Sequence, residues 1–80
     1  MSKHEEQLRQ RALRMLDKGS SLHNVLHFVR ERLDQTRNLD SAELELVNDN
    51  INSIVESRRR MRLINNEQAI DRFFELALAA

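Results

Sequence analysis

His23 and His27 stand four residues apart. On a helix that spacing puts two imidazoles on one stripe, the arrangement two metal ligands would use. The residues between them are Asn24, Val25 and Leu26, without the glutamate that a zinc-hydrolase helix carries after its first histidine. Only one further histidine and no cysteine occur in the chain, so a zinc site would have to borrow carboxylates. Arg30, one turn further on, would oppose a cation. The expectation is two solvated surface histidines on the side away from the apolar face, with no metal and no cofactor.

The densest run of charge is Arg58-Arg59-Arg60-Met61-Arg62. Several clustered cations are what phosphate neutralisation needs, so this run is the candidate for a nucleic-acid contact. Consecutive residues nevertheless fan out around a helix axis instead of forming one patch. No Tyr or Trp exists in the chain to stack on bases. Arginines in the last turn of a helix also oppose its dipole, a purely structural role. A third polar group, Asn48, Asp49, Asn50 and Asn52, lacks the glycine turn and terminal glutamate of a calcium loop and reads as an outward face. The serines fit caps and helix surface, and no base or Gly-rich loop accompanies them. The expectation is therefore a protein that is not an enzyme and takes no small-molecule substrate.

These residues are carried by a helical chain. Among 80 residues there is one Gly and no Pro, Trp, Tyr or Cys, and the remainder is rich in good helix formers. Leu8, Ala12, Met15 and Leu16 share one helical face over about Lys3 to Lys18, and Gly19 supplies a left-handed stop. Ser20 or Ser21 caps a second helix, on which Leu22, Val25, Leu26, Val29 and Leu33 form the apolar side with Phe28 at its margin. Asp40 and Glu43 make a capping-box start for a third helix. Its Leu44, Val47, Ile51, Ile54, Arg58 and Met61 follow steps of three and four, with Arg58 as the one charged member, and it ends near Arg60 or Arg62. Asn65 and Asn66 break the chain, and a fourth helix from about Glu67 aligns Ile70, Phe73, Phe74 and Ala77. Residues 1–80 thus read as a single all-α domain, a small antiparallel bundle of three to four helices joined by short loops.

So short a chain buries only about 60% of the surface its unfolded form exposes. Disulfides are ruled out by the missing cysteines, which leaves self-association as the means of completing the core. Formal charge is balanced, 13 basic against 13 acidic. The distribution is uneven. Residues 39–57 hold Asp40, Glu43, Glu45, Asp49 and Glu56 with no Lys or Arg, whereas residues 58–80 hold five Arg against three carboxylates. The polar start, Met1 to Gln10, does not read as a signal peptide, and the expected location is cytoplasmic.

Together these features predict a non-catalytic protein-interaction or regulatory module that binds a protein partner or itself, as a homodimer. Its expected contact face is Ile70, Phe73, Phe74 and Ala77 with Arg58, Arg59 and Arg62 for orientation. The alternative is a nucleic-acid-binding regulator that uses Arg58 to Arg62. No membrane partner is expected.

Overall fold

The computed structural model describes residues 2–61 and 65–78, with the side chain of Met61 left aside. Four helices follow one another: α1 (Lys3–Asp17), α2 (Leu22–Arg37), α3 (Ser41–Met61) and α4 (Asn66–Leu78). No strand occurs among the described residues. The starts of all four helices and the ends of α1 and α2 have a local chemical cause. The Ser2 hydroxyl accepts from the Glu5 amide at 3.2 Å to open α1. At the other end the Gly19 amide donates to the Leu16 carbonyl and the Ser20 amide to that of Met15. These two bonds form a Schellman closure, which the left-handed φ of 102° at Gly19 makes attainable. Ser21, not Ser20, caps α2 by accepting from the Asn24 amide at 3.1 Å. Asn38 ends that helix in the left-handed region, where Asn is the best tolerated of the non-glycine residues.

The expected capping box of α3 is present and reciprocal. Glu43 N–H donates to Asp40 Oδ1 at 2.8 Å, and Asp40 N–H donates to Glu43 Oε1 at 3.3 Å. The same device, unforeseen in the sequence reading, opens α4. Gln68 N–H donates to Asn65 Oδ1 at 2.8 Å, and Asn65 N–H donates to Gln68 Oε1 at 3.0 Å. What reads as a break is therefore also a start signal. Asn65→Ala removes one of these bonds and should cost about 1 kcal/mol, a fall of about 4–8 °C in Tm for a domain of this size. Thermal unfolding followed by circular dichroism measures it, and an unchanged Tm would mean the cap carries no stability.

The helices close into a ring in which α1 packs on α2, α2 on α3, α3 on α4 and α4 back on α1. Across the diagonals α2 meets α4, while α1 and α3 do not pack together. The radius of gyration, 11.8 Å, matches the value of about 11.6 Å expected for a compact chain of this length. Because α4 faces three helices, its buried arc is wide. Ala69, Ile70, Phe73, Phe74 and Ala77 are all interior, and Phe73 meets Phe74 edge to face with centroids 6.3 Å apart. Val47, Ile51 and Ile54 of α3 join them. Leu44 and Arg58, at the two ends of that row, are only half-buried.

One polar contact ties the ring closure. Arg9 of α1 forks onto both carboxylate oxygens of Asp71 on α4 and reaches Glu67 at 3.2 Å. The Asp71 hydrogen bond holds the guanidinium proton more firmly than usual. Arg37 similarly reaches Glu5 at 3.3 Å, joining the end of α2 to the start of α1.

Candidate functional site

The face expected to receive a partner lies inside the fold. Ile70 and Phe73 are 0% exposed, Phe74 1% and Ala77 6%. The reason is the ring closure: α1, α2 and α3 of the same chain cover α4, so its apolar side is spent on the monomer's own core. The cations expected to orient that face are scattered. Arg58 is half-buried on α3. Arg59 and Arg60 are exposed but turn back along the helix to Glu56, at 3.9 and 2.9 Å, which offsets part of the charge of the run. Arg62 lies outside the described residues.

The histidine pair is placed on α2 with ring centroids 4.4 Å apart. His23 is exposed, but His27 is half-buried, so the stripe is not wholly turned to solvent. Among the described residues no group of three or more His, Asp or Glu converges as metal ligands would. Burial, then the neighbouring His23 and Arg30, push His27 below its ordinary pKa of 6.5. A histidine whose folded pKa lies below its unfolded one is neutral in both states at higher pH and resists protonation only when folded. Its contribution is therefore a loss of stability as pH falls from about 6.5 through the lower folded value. Replacing His23 with Gln should move the His27 titration, read by proton NMR, back toward 6.5, and no movement would exclude His23 as a cause. Of the asparagine cluster, Asp49 and Asn52 face outward. Asn48 and Asn50 are instead half-buried beside Val47 and Ile51.

The feature that sequence reading missed runs between α1 and α2. Along α1 and its C-cap, Gln7, Arg11, Arg14 and Lys18 recur at steps of three and four, on the flank that looks toward α2. On α2, Phe28, Arg32 and Gln35 do the same toward α1. Two adjoining hollows follow this seam, of about 340 and 560 Å³, and both include Arg11. The first is bordered by His4, Gln7, Arg32 and Thr36, the second by Arg14, Met15, Lys18 and Phe28. No Asp or Glu lines either one.

At the centre is Phe28, half-buried, with the guanidinium carbon of Arg11 5.1 Å and that of Arg32 5.3 Å from its ring centroid. Among the described residues, Arg11, Arg14, Lys18 and Arg32 have no carboxylate within ion-pair distance. Arg9, Arg37, Arg59 and Arg60 all do. The groove is thus a cationic strip with an apolar floor of Met15 and Phe28. From Gln7 to Lys18 it spans about 17 Å at the helical rise. The sequence signal was present as the acid-free flank of α1. It becomes a site only because α2 sets Phe28 and Arg32 against it.

No protein-family model matches the chain, and neither a curated protein nor a solved structure shows significant similarity to it.

Proposed function

We propose that this chain is a non-catalytic helical module that acts by binding a protein partner, and that the α1–α2 groove is its recognition face for an acidic, partly apolar segment. The observation that carries this reading is the company of Phe28. Four cations with no carboxylate in ion-pair distance among the described residues surround a half-buried aromatic ring and a methionine. Arginine, aromatic residues and Met are the types enriched where proteins meet. Arg9, Arg37, Arg59 and Arg60, by contrast, are each paired with a carboxylate of the chain.

A protein segment suits the groove better than nucleic acid. The chain has no Tyr or Trp to stack on bases. The chain's net charge is zero, which gives no long-range attraction for a polyanion. A partner that brings carboxylates for the rim and one apolar side chain for the floor satisfies both halves of the site.

The test is fluorescence anisotropy with two labelled probes, a short peptide of interspersed Glu and Leu and a duplex oligonucleotide. The expected result is saturable binding of the peptide, weakened at least about tenfold between about 0.15 M and 1 M salt as the screening length contracts. Tighter binding of the oligonucleotide would assign the groove to nucleic acid, and no binding of either probe would remove it as a recognition face.

A further inference from the structure

Within this reading of the α1–α2 groove as a recognition face, we infer that its occupant is α3 of a second copy of the chain. The argument is complementarity in sign, in pitch and in the placement of one apolar side chain. The groove has no acid, and residues 39–57 have no Lys or Arg. Three acids of that stretch are committed within the chain, Asp40 and Glu43 to the cap of α3 and Glu56 to Arg59 and Arg60. Glu45 and Asp49 are exposed and make no ion pair among the described residues.

Glu45 and Asp49 are one helical turn apart, about 6 Å. Arg14 and Lys18 are spaced by the same turn on the groove's rim. Beside the acids stands Leu46, 54% exposed, the one large apolar side chain exposed among the described residues. With Glu45 and Asp49 set against Arg14 and Lys18, Leu46 is directed to the floor made by Met15 and Phe28. An isolated exposed leucine needs no explanation. One flanked by acids, on a chain whose groove offers an apolar floor flanked by bases, is a matched plug and socket.

The plug on α3 and the Arg14–Lys18 rim along α1 do not pack together within one chain, so one copy presents α3 while the other presents its groove. Such a contact is heterologous, and it continues beyond two copies unless the rotation closes a ring.

The experiment is sedimentation equilibrium of the full chain at low and high salt. A socket variant, Arg14→Glu with Lys18→Glu, and a plug variant, Glu45→Lys with Asp49→Lys, are run alongside. All four positions are exposed, and circular dichroism verifies that both variants remain folded. The wild type should rise above its 9.5 kDa monomer mass with concentration at low salt and return toward it at high salt. Each variant alone should need at least about tenfold more protein to associate, the loss that unfavourable rim charges produce. Mixed, the socket variant still has its plug and the plug variant still has its socket. They should form a one-to-one pair that grows no further.

A wild type that stays monomeric up to about 1 mM overturns the inference. So does a variant that associates as well as the wild type, or a mixture that remains monomeric. A monomeric wild type that still binds the acidic peptide would remove the second copy as occupant and leave the recognition face standing. Failure of the peptide as well would remove both.

Discussion

Phe73→Ala should cost about 3–5 kcal/mol, the largest loss expected from any single truncation in this chain. Phe73 has the largest side-chain volume among those fully sealed from solvent, together with Phe74. It sits on α4, which packs against all three other helices. Truncation forfeits the transfer free energy of a whole ring and leaves a cavity that three separate helices would have to move to fill. A domain of 80 residues holds about 4–12 kcal/mol in total, so the variant should be partly or fully unfolded at 37 °C. Urea denaturation of the wild type and variant measures the loss. Leu46→Ala is the control: its side chain is largely in water, and a change within about 0.5 kcal/mol is expected. A loss below about 1 kcal/mol at Phe73 would mean that α4 is not seated against α1, α2 and α3 as described.

Reversing two groove cations, Arg14→Glu with Arg32→Glu, should weaken the acidic peptide about thirtyfold while leaving the fold intact. Each exposed ion pair is worth up to about 1 kcal/mol, and reversal replaces attraction with repulsion, so a combined loss of about 2 kcal/mol follows. Both side chains are exposed, so changes in stability should be small. Arg32→Lys separates the two halves of the site. It keeps the charge but gives up the flat guanidinium that lies over Phe28. It should weaken binding less than the reversal does, and lose least for a peptide without an apolar residue. Anisotropy titrations at fixed salt measure all three. Equal binding by the double reversal would place the peptide elsewhere on the molecule.

The two expectations rest on opposite parts of the same sequence pattern. Periodicity marked Leu22, Val25, Leu26, Val29 and Leu33 as one face, and all five are buried. It likewise marked Ile70, Phe73, Phe74 and Ala77. Their alignment is a property of one helix, and it says that the row will leave water without saying which surface will cover it. Read alone, that row could complete the chain's own core or dock a partner, and the partner face was the expectation. With α1 and α3 on either side and α2 across the diagonal, Ile70, Phe73, Phe74 and Ala77 are interior.

Charge was less legible still. Arg9 and Asp71 are 62 positions apart, and nothing in their local sequence says that they pair. Arg58 to Arg62 drew notice because four arginines fall within five positions, yet Glu56 engages two of them. Arg11, Arg14, Lys18 and Arg32 are dispersed over two helices and drew none. An uncompensated cation is defined by what is absent around it, which only the packed arrangement specifies.

What the sequence by itself determined is the set of helices and their ends. Turns at Gly19 and Asn38, caps at Ser2, Ser21 and Asp40, and apolar rows of helical period all act through bonds between residues a few positions apart, so they can be read along the chain. Which row becomes core and which flank becomes groove was decided by tertiary structure. Burial and ion pairing depend on which helices lie side by side, and the ring order that seals α4 while opening the seam between α1 and α2 is set by the packing of all four together.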